Sequence, residues 1–128
     1  MGQDLLNEAL TVIRNAEHAG KKECVTPASD LIKDVLLVMQ KDGYIGNFEL
    51  IDDKKIGKFK IDLIMKINDC GVVSPRNSVE AKGIEKIEIN YLPAKDFGIL
   101  ILTTSKGVMD HKDAKSKSVG GKLLSFVY

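Results

Sequence analysis

An unbroken apolar segment, Phe97–Leu102, stops abruptly at a cluster of hydroxyl and basic side chains. A segment of this length without a polar position is typical of a strand that is buried on both faces. Three hydroxyl groups and one ammonium group follow it, on Thr103, Thr104, Ser105 and Lys106. Because hydroxyls both donate and accept hydrogen bonds, a rigid loop that carries them can reach phosphates, ribose hydroxyls and base edges. The segment therefore predicts a buried strand that leads into a loop suited to structured RNA.

A purely local role is open for the same loop, which we call the hydroxyl loop (residues 103–107). In a tight turn, its hydroxyls would satisfy nearby backbone groups, and Gly107 would take a positive φ. The residues by themselves do not decide between a turn that serves only the fold and a turn that also contacts RNA.

Length and composition indicate a folded, soluble protein, since 128 residues with 44% apolar content can build one domain or two small ones. No apolar stretch approaches the roughly 18 residues that span a bilayer, and the N-terminus lacks the regions of a signal peptide, so we expect a cytoplasmic protein. Cys24 and Cys70 are far apart, and His18 and His111 are not spaced with them as zinc ligands are. We expect two buried thiols, no metal and no cofactor.

The net charge of +1 is low for a protein that binds RNA, because neutralisation of phosphates supplies much of nonspecific affinity. The charge is unevenly distributed. Residues 1–68 have ten Lys and Arg against eleven Asp and Glu, a net −1, and residues 69–128 have nine against seven, a net +2. Residues 103–122 have five lysines against two acidic residues, a net +3. Basic charge thus concentrates around the hydroxyl loop, although a solvated helix face would also carry lysines.

The first half has the pattern of an α+β unit. Apolar residues recur at helical spacing from about residue 3 to 18 and again between Ser29, a suitable N-cap, and Gly43, a suitable C-cap. Residues 23–26 are a strand candidate, and Phe48–Leu63 alternates as a hairpin with a polar turn at Asp52–Lys55. The apolar helix positions are Leu5, Leu6, Ala9, Leu10, Ile13 and Ala16, then Leu31, Ile32, Val35, Leu36 and Met39.

The second half is mainly β in pattern. Residues 70–73 suggest a strand, residues 74–77 a turn, and residues 81–91 either a short helix or a strand. Asp110 is placed to cap a helix that runs to about Ser118 and stops at Gly120-Gly121, before a closing strand Lys122–Tyr128. We predict an α+β fold in which a helix–strand–helix–strand–strand unit, residues 1–68, packs closely against a mainly β unit with short helices, residues 69–128.

Motifs for catalysis are absent from the sequence. There is no Gly-x-Ser-x-Gly elbow, metal-ligand cluster or glycine-rich nucleotide fingerprint. Gly121-Lys122 lacks the preceding spacing and the following hydroxyl of a phosphate-binding loop. The adjacent carboxylates Asp52 and Asp53 fit a polar turn, so we predict that the protein is not an enzyme.

Several segments resemble the S-eight family of small-subunit ribosomal proteins in its archaeal and eukaryotic form. The main segment runs from Gly98 through the hydroxyl loop and Val108-Met109 to Ala114-Lys115. The resemblance covers nearly the whole chain. Its other landmarks are the Asn15 region, Lys21-Lys22, Pro27-Ala28-Ser29, Gly43–Gly46, Cys70–Arg76, Tyr91–Gly98 and Gly120–Leu124.

The resemblance implies a primary rRNA-binding protein that organises a central-domain helix of small-subunit rRNA during assembly. The implied main contacts are Thr103, Thr104, Ser105, Lys106 and Gly107, beside a turn of Gly120, Gly121 and Lys122. Further implied contacts are Arg14, Asn15, Lys21, Lys22, Ser29, Arg76, Tyr91 and Lys95, for which surface roles or, at Tyr91, partial burial are equally open. Asp30 stands where the family usually has a lysine, and its carboxylate would repel phosphate.

The implied partners are that rRNA, neighbouring small-subunit proteins and, as in some family members, the message of the protein's own operon. A rival hypothesis is a protein-interaction module in which the strand Lys122–Tyr128 or the second helix docks a partner.

Overall fold

The computed structural model describes residues 2–51, 57–73, 78–94 and 97–128, and of residues 2–4 it describes the backbone only. Its elements form two units, Met1–Gly71 and Val72–Tyr128. The predicted α+β class is confirmed, with helices and strands in the first unit and a mainly β second unit. The elements are α1 (Gly2–His18), β1 (Glu23–Pro27), α2 (Asp30–Lys41), β2 (Ile45–Ile51), β3 (Lys58–Leu63), β4 (Cys70–Val72), β5 (Ser78–Val79), α3 (Ile84–Tyr91), β6 (Ile99–Thr104), β7 (Gly107–Asp110), α4 (His111–Ser116) and β8 (Gly121–Val127).

The first unit is a three-stranded antiparallel sheet, in the order β1-β3-β2, with two helices. Helix α1 packs against β1, α2 packs against β2, and the helices contact each other. The predicted apolar stripe of α1 is buried except at Leu5, which is 39% exposed, so the prediction is wrong at that position. The largest fully buried side chains of this unit are Leu6, Leu10, Ile13, Ile32, Leu36, Met39 and Ile61.

Both predicted ends of α2 are confirmed. Ser29 Oγ accepts a hydrogen bond from the backbone N–H of Ile32 at 3.1 Å, which satisfies a donor that the first turn leaves free. Gly43 takes φ +81°, and the N–H groups of Gly43 and Tyr44 return to the carbonyls of Gln40 and Met39 at 3.1 and 2.9 Å.

The predicted hairpin is confirmed as the pair β2–β3, with Phe48 opposite Ile61 and Leu50 opposite Phe59. The turn predicted at residues 52–55 lies outside the described residues. Leu50 is 63% exposed although it belongs to the apolar series. It lines a groove that reaches Asp30, where α2 begins, so the helix does not extend over it.

The end of α1 holds the segment that leads out of the first unit. Glu17 Oε2 accepts from the backbone N–H of Ile67 at 3.1 Å, and Arg14 pairs with Asp69 at 2.7 Å. Cys70 Sγ donates to the carbonyl of Leu10 at 3.5 Å. A buried carboxylate and a thiol that serve backbone groups have structural roles, which the sequence did not reveal.

The prediction of two buried thiols is confirmed, since Cys24 and Cys70 are both free and buried. Burial raises the pKa of Cys70 to about 12 and that of Cys24 to about 11. Both groups therefore stay protonated at neutral pH, and a protonated thiol is a poor nucleophile and metal ligand.

The second unit is built on a five-stranded sheet in the order β4-β8-β6-β7, with β5 also paired with β8. Residues 99–102 of β6 are buried at every position, as predicted for a strand covered on both faces. Phe97 precedes the strand and is half exposed, so the predicted strand starts too early. The helical alternative for residues 81–91 is correct, since a single 3-10 turn at Ala81–Gly83 leads into α3.

Three details of the second unit differ from the sequence-based expectations. Strand β8 is paired on both sides, so the hypothesis that it docks a partner as an exposed strand is wrong. Strand β7 was not predicted. Helix α4 begins at its predicted Asp110 cap, whose Oδ1 accepts from the N–H of Asp113 at 2.7 Å, but it ends at Ser116. Ser118, with φ +54°, turns the chain before Gly120.

Candidate RNA-binding surface

The hydroxyl loop is the tip of a two-stranded hairpin and not an open loop before a helix. Strand β6 continues through Thr103 and Thr104, and β7 returns from Gly107, so that Ser105 and Lys106 form the turn. Neither turn residue is among those with positive φ, whereas Gly107 has φ +113°. A two-residue turn in which neither residue has a positive φ does not match the twist of the flanking strands and would splay them. The positive φ of Gly107 corrects this mismatch, and the two strands can then pair.

The hydroxyl of Thr104 is used within the hairpin. Its Oγ1 donates to the carbonyl oxygen of Gly107 at 2.8 Å and accepts from the N–H of Lys106 at 3.1 Å. The local role that the sequence left open is therefore observed, and one acceptor lone pair of this hydroxyl remains. Ser105 is exposed, and among the described residues its hydroxyl forms no hydrogen bond. Ser105 is better placed than Thr104 to donate to a ligand.

The Gly120–Lys122 turn lies directly beside the hairpin, as the resemblance implied. In the β6–β8 ladder, Thr104 is opposite Gly121 and Thr103 is opposite Lys122. A Cβ on Gly121 would collide with the carbonyl oxygen of Thr103 and would lie 2.9 Å from Thr104 Cγ2. A Cβ on Gly120 would collide with the carbonyl oxygen of Val79. The two glycines are required by close packing against the strands, and not as the predicted helix stop.

Four of the five lysines of residues 103–122 are exposed, and the exception is Lys115; Lys112 and Lys117 are exposed in and just after α4. Lys106 and Lys122 are exposed, on the hairpin tip and on the strand beside it. Lys115 is partly buried, with its Nζ 3.2 Å from Glu88 Oε1 and 3.9 Å from Glu85 Oε1. Because Lys115 is paired with carboxylates, its charge is less available to a phosphate than that of the exposed lysines.

Buried Glu88 and His111 and the partly buried Lys115 form a polar cluster that links α3 and α4 to β6. His111 Nδ1 accepts from the backbone N–H of Leu100 at 3.1 Å, and its Nε2 lies 3.4 Å from Glu88 Oε2. Burial lowers the pKa of His111, and Lys115 acts in the same direction, while Glu88 and Asp110 act against it. The imidazole is therefore neutral at neutral pH, with its proton on Nε2. The sequence offered no sign of this cluster, because its members are 23 or more residues apart except for the pair on α4.

Tyr91 is partly buried, which is one of its two predicted roles. Its ring stacks on Phe126 with centroids 6.2 Å apart, and Phe126 stacks in turn on Tyr128 at 6.0 Å. One face of Tyr91 is thus occupied by protein. Lys95 and Arg76, the other predicted contacts of this unit, lie outside the described residues.

The predicted contacts of the first unit lie on different elements. Arg14 and Asn15 are exposed near the end of α1, and Lys21 and Lys22 are exposed before β1. The guanidinium of Arg14 already pairs with Asp69, and the hydroxyl of Ser29 is used as the α2 cap. Lys21 and Lys22 are therefore the members of this set that are best placed to meet phosphates.

Within the described ranges, no group of three or more His, Cys, Asp or Glu side chains is arranged to hold a metal ion. In the same part of the chain, no helix combines the length and apolar content that crossing a membrane requires.

Comparison with known proteins gives a match over nearly the entire chain. The family model described as Ribosomal protein S8 matches residues 4–128. A small ribosomal subunit protein uS8 from Thermoplasma acidophilum is 52% identical over 129 residues, covering 100% of both chains. Proteins of the same description from Picrophilus torridus and Methanococcoides burtonii are 49% and 52% identical, covering 100% and 98% of this chain and 100% and 97% of their own lengths.

Proposed function

This chain belongs to the Ribosomal protein S8 family, and from that premise we propose that the tip of its β6–β7 hairpin is the principal contact with RNA. The protein is a structural constituent of the small ribosomal subunit, and it binds rRNA. Its proposed target is a helix of the central domain, whose folded geometry it would hold while later proteins join. Such a role uses binding energy alone and requires no catalytic step.

The observation that carries the proposal is the exposure of Ser105 and Lys106 on a turn that its own hydrogen bonds make rigid. Thr104 Oγ1 ties the carbonyl of Gly107 and the N–H of Lys106 together at 2.8 and 3.1 Å. A rigid turn loses little conformational entropy when it binds. A hydroxyl and an ammonium at fixed positions can then select an irregular RNA surface by its shape.

The neighbouring strand extends the proposed surface. Lys122 is exposed and lies opposite Thr103 in the β6–β8 ladder. The glycine before it packs so closely that the backbone of β8 stays near that of β6. We assign the main RNA contact to the C-terminal part of the chain, residues 69–128, and a supporting phosphate contact to Lys21 and Lys22.

The net charge of the protein is only +1, so the salt dependence of binding is expected to be shallow. Each phosphate that a protein neutralises contributes about one unit to the slope of log affinity against log salt.

Binding to the message of the protein's own operon would use the same hairpin wherever the message reproduces the rRNA shape. Assembly into the ribosome would place the protein in the cytoplasm beside other small-subunit proteins.

The test is a titration of a central-domain rRNA fragment with wild type and Ser105→Ala/Lys106→Ala. Loss of a hydrogen bond and a phosphate contact predicts binding weaker by about 2 kcal/mol, or roughly 30-fold. Lys106→Ala alone should reduce the salt slope by about one. An rRNA helix of equal length from another domain measures the specificity of the interaction.

The matched control is Ser116→Ala/Lys86→Ala, which removes the same groups from exposed positions on α4 and α3. It should bind like wild type. If the control and the hairpin variant lose equal affinity, the contact is nonspecific electrostatic attraction. If the wild type does not distinguish the two rRNA helices, the central-domain assignment is wrong.

A further inference from the structure

The β6–β7 hairpin is held at its base by a side chain. In its ladder, Ile101 is opposite Asp110, Leu102 opposite Met109 and Thr104 opposite Gly107. The next pair in this register is Leu100 with His111. The backbone cannot continue the ladder there, because α4 begins at His111.

The imidazole of His111 takes the place of the missing backbone acceptor. Its Nδ1 accepts from the N–H of Leu100 at 3.1 Å. Leu100 is buried, so this N–H would lose its hydrogen bond to water without a replacement. The side chain therefore extends the pairing of β6 by one step beyond the point where the backbone of β7 leaves the sheet.

The carboxylate of Glu88 lies near the other edge of the ring, and Lys115 is paired with that carboxylate. His111 is 0% exposed, and its Nε2 lies 3.4 Å from Oε2 of Glu88, which is 2% exposed. The other carboxylate oxygen of Glu88 lies 3.2 Å from Lys115 Nζ. Because Nδ1 is the acceptor, Nε2 carries the proton. The carboxylate of Glu88 lies 3.4 Å from it without a hydrogen bond of good geometry, so the attraction that favours this orientation of the ring is electrostatic.

We infer that His111, oriented by Glu88 and Lys115, is a positioning residue that sets the register of the β6–β7 hairpin and so fixes where Ser105 and Lys106 meet RNA. The inference rests on the proposed function of the hairpin tip. A slip of one residue in an antiparallel pair moves every side chain to the opposite face. Strand β7 has only four residues, so few cross-strand pairs in the hairpin oppose such a slip. The bond from Leu100 to His111 adds one more at the base of the hairpin.

The test compares His111→Phe, which keeps the ring and removes the acceptor, with His111→Asn, whose Oδ1 can accept at the position of Nδ1. His111→Phe should bind the rRNA fragment about tenfold more weakly, and His111→Asn should recover most of the affinity. Hydrogen exchange at the amides of Leu100 and Lys106, followed by NMR, reports hairpin order without RNA. Both amides should exchange faster in His111→Phe and near the wild-type rate in His111→Asn.

Leu92→Ala is the control for general destabilisation, because Leu92 is a buried residue of the core cluster that also holds Leu100, Leu102 and Met109 but is not itself part of the hairpin ladder. All variants are compared at a temperature where each is folded. The inference predicts that Leu92→Ala keeps its RNA affinity. Equal losses in Leu92→Ala and His111→Phe would overturn it, as would wild-type exchange rates in His111→Phe.

A milder variant covers the case in which His111→Phe does not fold. Glu88→Gln keeps the shape of the side chain and removes the charge that orients the ring, so it should speed the exchange of Leu100 and weaken RNA binding about threefold. Unchanged exchange would contradict the inference. If Ser105→Ala/Lys106→Ala binds RNA like wild type, the proposed function of the hairpin tip fails, whereas the exchange rates still decide whether His111 sets the register.

Discussion

Thr104 closes its own hairpin, since its Oγ1 donates to the carbonyl of Gly107 at 2.8 Å and accepts from the N–H of Lys106 at 3.1 Å. Thr104→Val keeps the shape of the side chain and removes both bonds. We expect this variant to lower the free energy of unfolding by about 1 kcal/mol, because the bonds are near solvent. We also expect weaker RNA binding, measured by titration, because the turn is less ordered.

Thr104→Ser is the matched control for this prediction, because it keeps the hydroxyl and loses only a methyl group. It should remain closer to wild type than Thr104→Val in both urea unfolding and RNA titration. Equal behaviour of the two variants would mean that the hydroxyl does not organise the turn.

Gly121 is expected to tolerate no side chain. In Gly121→Ala the added Cβ would collide with the carbonyl oxygen of Thr103, which is backbone and cannot rotate away. We expect a loss of stability of about 2 kcal/mol, measured by denaturant unfolding. Gly83→Ala is the control, since its nearest neighbour, Val79 Cγ1, would be 4.0 Å from the new Cβ. Gly83→Ala should be neutral or stabilising, and a similar loss in both would refute the steric explanation.

Ser29 is expected to act on stability through its cap of α2. Ser29→Ala leaves the N–H of Ile32 without its side-chain acceptor at 3.1 Å, which should lower the free energy of unfolding by about 1 kcal/mol. Ser29→Asp keeps an acceptor and should restore most of the loss. Thermal and denaturant unfolding of the three proteins check this, and an unstable Ser29→Asp would point to another role for the hydroxyl.

The lowered pKa of His111 predicts a specific loss of stability in acid. Burial keeps the folded imidazole neutral, while the unfolded chain takes up a proton near its ordinary pKa of about 6.5. The unfolded state then binds more protons, so the free energy of unfolding is highest above about pH 6.5 and falls below it, by at most about 1.4 kcal/mol per pH unit.

The pH prediction is checked by denaturant unfolding of wild type and His111→Asn at several pH values between about 7.5 and 5. All other ionisable groups are common to the two proteins, so the difference between the two curves isolates His111. His111→Asn should lose less stability on acidification than wild type. Parallel curves would show that His111 has the same pKa in the folded and unfolded states.

Local patterns accounted for much of the fold. The helices α1 and α2, with the caps at Ser29 and Gly43, follow from apolar spacing and from side chains that act within one turn of their own position. Burial was less predictable, because it depends on what lies opposite. Leu50 and Phe97 are apolar but exposed, since no element within the described ranges covers them.

The candidate site shows the same difference between features that follow from local sequence and features that depend on distant contacts. The available groups can be read from the sequence, namely the hydroxyls and the single lysine of residues 103–106, the paired glycines and the capping Asp110. Only the tertiary structure decided how they are used. It placed Gly121 against β6, committed Thr104 to the turn, and brought His111 to the N–H of Leu100. Contacts between residues far apart in sequence depend on strand pairing and helix packing, which leave no periodic signal in the chain.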